Sequence, residues 1–99
     1  MNKFYYKDGT TSSEHSTSKH LHREGGPAVE RADGGKRWYI DGKLHREDGP
    51  ALEYNDGLKY WYIDGKRFTE EDFNITIEEI RQLPLALRLI DPREWVRKL

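Results

Sequence analysis

Cysteine is absent from this chain of 99 residues, so neither a disulfide framework nor thiolate chemistry is available to it. Long apolar runs are missing too: 34% of residues are hydrophobic and 35% are charged, and no stretch approaches the roughly 20 apolar residues that a membrane helix needs. The first residues open a repeat strand and lack the charged-then-apolar pattern of a leader. Charge of one sign is also lacking, because 17 basic and 18 acidic residues leave a net charge of −1. No global field therefore draws nucleic acid or an anionic membrane toward the protein. The expectation is a soluble, cytoplasmic, single-domain protein that does not bind membranes.

What is present is aromatic and repetitive. Three Trp, six Tyr and three Phe supply large rings, each able to bury roughly 150–250 Å², which compensates for the scarcity of aliphatic side chains. Residues 21–43, LHREGGPAVERADGGKRWYIDGK, are followed directly by residues 44–66, LHREDGPALEYNDGLKYWYIDGK. The period is 23, and 17 of the 23 positions are identical, so the chain carries a duplicated structural unit. Tyr5-Tyr6-Lys7-Asp8-Gly9 aligns with Trp38-Tyr39-Ile40-Asp41-Gly42 and with Trp61-Tyr62-Ile63-Asp64-Gly65, giving a third, partial copy. Between Gly9 and Leu21 the register is interrupted by residues 11–20, mostly Ser, Thr, His and Lys, for which a mobile surface loop is expected. Where a third LHRE would stand, the chain reads Arg67-Phe68-Thr69-Glu70, the divergence expected of a terminal repeat.

Asp-Gly occurs twice per copy and supplies the positive φ of tight hairpin turns, flanking runs rich in Trp, Tyr, Ile and Val. This predicts strands near 3–7, 28–31, 36–40, 51–54 and 59–63. Alternation places Trp38, Ile40, Trp61 and Ile63 on one face, the expected core, and Arg37, Tyr39, Tyr60 and Tyr62 on the other. Gly-Pro in each HRE(G/D)GP element sets a backbone corner, and the polar residues around it are expected to bond across the turn and to the next copy.

The glycine spacing, the aromatic strands, the Gly42-to-His45 step and the 23-residue period together resemble MORN repeats, over residues 1 to about 68. The resemblance implies stacked antiparallel β-hairpins forming an elongated sheet. Where the MORN pattern has glycine after the histidine, this chain has Arg23 and Arg46. The HRE(D/G)GPA form also resembles repeats of small bacterial and phage proteins, including antitoxin components, which implies such an origin.

After Phe68 the punctuation becomes helical. Thr69-Glu70-Glu71-Asp72, Thr76-Ile77-Glu78-Glu79 and Asp91-Pro92-Arg93-Glu94 each read as a helix start, with residues 85–90 open between helix and strand. The fold class expected is therefore mainly β with C-terminal α: a repeat sheet over 1–68, one face covered by two or three short helices from 69–99, in the same domain.

Candidate chemistry is thin. His22 and His45 occupy equivalent positions, but no recognised metal-ligand spacing surrounds them, and a structural role in the turn is expected. Ser12, Ser13, Ser16 and Ser18 lie in the inserted loop, and the carboxylate pairs Glu70/Glu71 and Glu78/Glu79 fall at expected helix starts, where the dipole favours acids. No catalytic residue, metal or cofactor is assigned, and an enzyme is not expected. The Tyr/Arg face is the candidate site: Arg37, Tyr39, Tyr54, Tyr60 and Tyr62 are assigned to a protein partner, since interface centres favour such side chains. The expected function is a small binder that inhibits or occupies a larger protein, such as a toxin or host defence enzyme. The alternative is single-stranded nucleic-acid binding on that aromatic and basic face, and exposed sheet edges would permit a homodimer.

Overall fold

The computed structural model describes residues 1–83 together with Arg93. The described elements are β1 (Lys3–Tyr5), β2 (Thr11–Ser12), β3 (Val29–Glu30), β4 (Lys36–Arg37), β5 (Tyr39–Ile40), β6 (Lys43–Leu44), β7 (Leu52–Glu53), β8 (Lys59–Ile63), β9 (Lys66–Phe68) and α1 (Glu70–Arg81). Seven strands form an antiparallel sheet in the order β2-β1-β3-β4-β7-β8-β9, and β5 pairs separately with β6. The long strand expected over 36–40 is divided at Trp38. There the chain leaves the β3 and β7 ladders to form a hairpin with β6.

Two classes of Asp-Gly turn alternate along the chain. Asp41 and Asp64 sit at φ 51° and the following Gly42 and Gly65 at φ 79°, so both central residues are left-handed. These are type I′ turns, whose twist matches the two-residue hairpins β5–β6 and β8–β9. In the longer β3–β4 and β7–β8 loops only Gly34 and Gly57 are left-handed, and the Asp33 and Asp56 carboxylates accept backbone N–H groups from Gly35 and Leu58. Asp8-Gly9 belongs to this second class: the Gly9 N–H donates to the Tyr6 carbonyl at 3.0 Å, and the Asp8 carboxylate accepts the Thr10 N–H at 2.9 Å. Its residues align with Asp41-Gly42, but its turn does not.

Residues 11–20 return against β1. Strand β2 pairs with β1, the Tyr6 hydroxyl donates to the Glu14 carbonyl at 2.9 Å and accepts the Ser16 N–H at 2.8 Å, and the Phe4 and His15 rings stack at 5.4 Å.

Two apolar clusters hold the described fold. Tyr6, Leu21, Ala28 and Val29 form one, with Phe4 and Tyr39 packed against it. Ile63, Phe73 and Ile77 form the other, with Trp61 and Phe68 packed against it. The second exists because α1 is amphipathic: Phe73, Thr76, Ile77 and Ile80 make a single buried stripe. The Thr69 hydroxyl caps the helix by accepting the Asp72 N–H at 3.1 Å, and Glu70, Glu71 and Asp72 fill the first turn at the positive end of the dipole.

The expectation of two or three helices is corrected here: among the described residues there is one. Thr76 does not begin a second helix. It lies inside α1, three residues after Phe73, and is drawn into the buried stripe by that spacing. The expected start at Asp91-Pro92 and the stretch 85–90 lie outside the described residues.

Candidate interaction surface

The histidine that follows each aromatic hairpin is joined to the Asp-Gly turn of the next hairpin, within one 23-residue copy. His22 Nδ1 accepts the Asp41 N–H at 3.0 Å, and His45 Nδ1 accepts the Asp64 N–H, also at 3.0 Å. Beside each bond, the preceding leucine carbonyl takes the glycine N–H of the same turn: Gly42 to Leu21 at 2.9 Å and Gly65 to Leu44 at 2.8 Å. The two arginines complete the junctions, donating their backbone N–H groups to Tyr39 and Tyr62 carbonyls, each at 3.1 Å. An acceptor is needed because a buried N–H without one carries the full desolvation penalty. Both histidine rings are thus committed to turn geometry at Nδ1, while Nε2 of His45 lies 2.6 Å from Glu47. Among the described residues, no three of His, Cys, Asp and Glu gather as metal ligands.

The arginine after each histidine covers the first ring of the aligned aromatic segment that precedes it. Arg23 lies 4.0 Å from the Tyr5 centroid and Arg46 lies 3.9 Å from that of Trp38. Their Nη1 atoms donate to the Pro27 and Pro50 carbonyls at 3.1 and 3.0 Å, so each guanidinium is fixed by the Gly-Pro corner while its plane rests on the ring. Gly49 is the residue that permits this approach, since a Cβ there would stand 2.9 Å from Arg46 Cζ. A cleft of about 520 Å³ opens between the two corners, floored by Trp38 and Ile40 and walled by Arg23, Arg46 and His45. Its arginines are already engaged, Arg23 with Glu30 at 2.8 Å and Arg46 with Asp48 at 2.8 Å.

Asp41 anchors the other side of the first junction. Lys7 Nζ stands 2.6 Å from its carboxylate and Arg93 Nη1 2.8 Å. The Lys7 ammonium first, and then the Arg93 guanidinium, hold its pKa down at about 2.

The five residues assigned to a partner separate into two groups. Arg37 stands on a rung between Val29 and Leu52, both buried, and its Nε is buried without a hydrogen-bond partner among the described residues. Tyr39 is half-buried against the cluster of Tyr6, Leu21, Ala28 and Val29. Tyr54 and Tyr60, by contrast, meet edge to face at 6.0 Å, with Tyr54 40% exposed. Tyr62 lies two residues along β8 from Tyr60 and is half-buried.

Two further residues belong with the tyrosines. Arg67 on β9 places its guanidinium 4.4 Å from the Tyr60 centroid, and Leu58, at the tip of the β7–β8 loop, is 54% exposed. Alternation along Lys66–Phe68 places Arg67 on the face of Tyr62, but the loss of the LHRE pattern at Arg67-Phe68-Thr69 hides the strand in the sequence. The rung alongside is charged: Lys3, Glu30, Lys36, Glu53 and Lys59 lie opposite one another across β1, β3, β4, β7 and β8, alternating in sign. Cross-strand pairing of opposite charges stabilises such a ladder and leaves no continuous basic track.

No family model, curated protein or solved structure matches the chain. Among the described residues, no helix is long and apolar enough to cross a membrane.

Proposed function

We propose that this chain is a non-enzymatic protein-interaction module of MORN-like repeats that captures a larger protein through Tyr54, Leu58, Tyr60 and Arg67. The observation that carries this is the Tyr54–Tyr60–Arg67 stack: two rings and a guanidinium held against one another at the end of the sheet, with Tyr54 and Leu58 open to solvent. Rigid aromatic side chains lose little entropy on binding, and aromatic and arginine side chains dominate interface energetics. Tyr62 borders the same surface, whereas Tyr39 and Arg37 support the sheet beneath it. The likeness of the repeats to those of small bacterial and phage proteins favours a toxin or a host defence enzyme as the captured protein.

The test is capture from a bacterial lysate by the immobilised chain, read by mass spectrometry, beside the Tyr60→Ala variant. A protein retained by the wild type and lost from the variant, with far-ultraviolet circular dichroism unchanged, supports the proposal. Retention of nucleic acid that nuclease abolishes would contradict it.

A further inference from the structure

At each junction between hairpins the same two backbone groups receive the next hairpin. They are the carbonyls of Leu21 and Leu44, which accept from Gly42 and Gly65, and the N–H groups of Arg23 and Arg46, which donate to Tyr39 and Tyr62. One period further on, the equivalents are the Arg67 carbonyl and the Thr69 N–H. Strand β9 ends the sheet, pairing with β8 alone among the described strands. In that hairpin Trp61 pairs with Phe68 and Ile63 with Lys66, so the intervening Arg67 turns its N–H and C=O outward. Among the described residues no backbone group meets either the Arg67 carbonyl or the Thr69 N–H.

A further copy of the repeat does not suit this place. The leucine has become Arg67, and the imidazole that would accept the incoming aspartate N–H has become Phe68, which packs on the Ile63 cluster instead. A second copy of the chain also presents the wrong turn at its N-terminal end, because Asp8-Gly9 has only its glycine in the left-handed region. What remains is an extended edge with exposed Lys66 and Arg67, and exposed Lys59 on β8. The acids nearest in sequence, Glu70 and Glu71, lie beyond Thr69 in the first turn of α1.

Resting on the interaction-module reading, we infer that β9 receives an extended acidic segment of the partner, paired antiparallel through the Arg67 carbonyl and the Thr69 N–H. Main-chain bonds supply the docking and the lysines and arginine select carboxylate side chains, the strand-addition mode of peptide recognition. Tyr60, under Arg67, forms the adjoining wall of the site.

The probes are three capped octapeptides titrated into the full ¹⁵N-labelled chain: alternating Glu/Val, alternating Lys/Val, and Glu/Val N-methylated at every residue. The Glu/Val peptide is expected to shift the Thr69 amide and slow its hydrogen exchange. The N-methylated peptide, lacking every backbone donor, should bind at least about tenfold more weakly. Lys66→Glu combined with Arg67→Glu, both at exposed positions, should transfer the preference to the Lys/Val peptide. Equal response to the Glu/Val and Lys/Val peptides, undiminished binding of the N-methylated one, or a Thr69 amide already protected in the free chain would overturn strand addition. The broader reading is judged separately. If Tyr60→Ala abolishes partner capture while no peptide reaches Thr69, the module stands and strand addition falls. If the peptides behave as expected but capture ignores Tyr60, strand addition stands alone.

Discussion

His45 Nδ1 accepts the backbone N–H of Asp64 across the junction between consecutive hairpins at 3.0 Å, and the same bond recurs 23 residues earlier between His22 and Asp41. The relationship gives the histidine of each LHRE a structural role. Its ring carries an acceptor far enough from the backbone to reach a left-handed aspartate whose N–H has turned away from its own hairpin.

Replacing His45 therefore separates acceptor from ring. His45→Ala leaves the Asp64 N–H without its partner and opens space at a buried position, with an expected loss of about 2 kcal/mol. His45→Asn, whose carbonyl can stand near the Nδ1 position, should lose less. Urea unfolding followed by circular dichroism checks the order.

Gly49 and Arg46 should be coupled with a change of sign. In the wild type, Gly49→Ala pushes on Arg46 Cζ, lifting the guanidinium from Trp38 and from the Pro50 carbonyl, so stability should fall by about 1 kcal/mol. In an Arg46→Ala background the three atoms nearest the new Cβ are gone. There it should be neutral or stabilising, by about 0.4–1 kcal/mol, through the unfolded chain's lost freedom. A double-mutant cycle in urea reads both values.

Equivalent isoleucines should not be energetically equivalent. Ile63 is fully buried between Trp61, Phe68 and the α1 side chains, whereas Ile40 is only half-buried and lines the cleft. Ile63→Ala is expected to cost about 3–4 kcal/mol and Ile40→Ala about 1 kcal/mol. Thermal unfolding of the two variants tests this, and the larger loss should be accompanied by loss of helical signal.

Acid should loosen the first junction through Asp41. Its folded pKa of about 2 lies below the ordinary 3.8, so its ion pairs contribute stability that is fully present above pH 4 and is lost as pH falls toward 2. Because the side chain is 39% exposed, the contribution is screened and should shrink in 1 M NaCl. Asp41→Asn, which tolerates the left-handed conformation, should flatten the stability profile between pH 4 and 2. Urea midpoints across that range provide the measurement.

The sequence disclosed the hairpins better than the faces. Asp41-Gly42 and Asp64-Gly65 are turns in sequence and structure alike because positive φ admits few residues, and Lys59–Ile63 has the bounds its aromatic run implies. Strict alternation misleads at Trp38. The strand divides there, and with it the assumption that Trp38 and Ile40 share the environment of Trp61 and Ile63. The helix packs on β8 and β9, so the second repeat is covered by Phe73 and Ile77 while Trp38 is covered by Arg46. Helix punctuation carried a similar ambiguity: Thr76 has the pattern of a cap but the spacing of a core residue, and the spacing prevailed. In the candidate site, Tyr60 was legible from alternation and Tyr54 from its residue type alone. Arg67 was not, because it stands where the repeat has a leucine, on a strand that no aromatic run marks.

The junction bond is directly measurable by trans-hydrogen-bond scalar coupling in uniformly ¹⁵N-labelled protein. Docked hairpins predict a correlation between the Asp64 amide nitrogen and His45 Nδ1, a second between Asp41 and His22, and Nδ1 shifts of unprotonated acceptors in both rings. Fast-exchanging Asp41 and Asp64 amides with no such correlation, or rings protonated at Nδ1, would contradict the docking of one hairpin on the next.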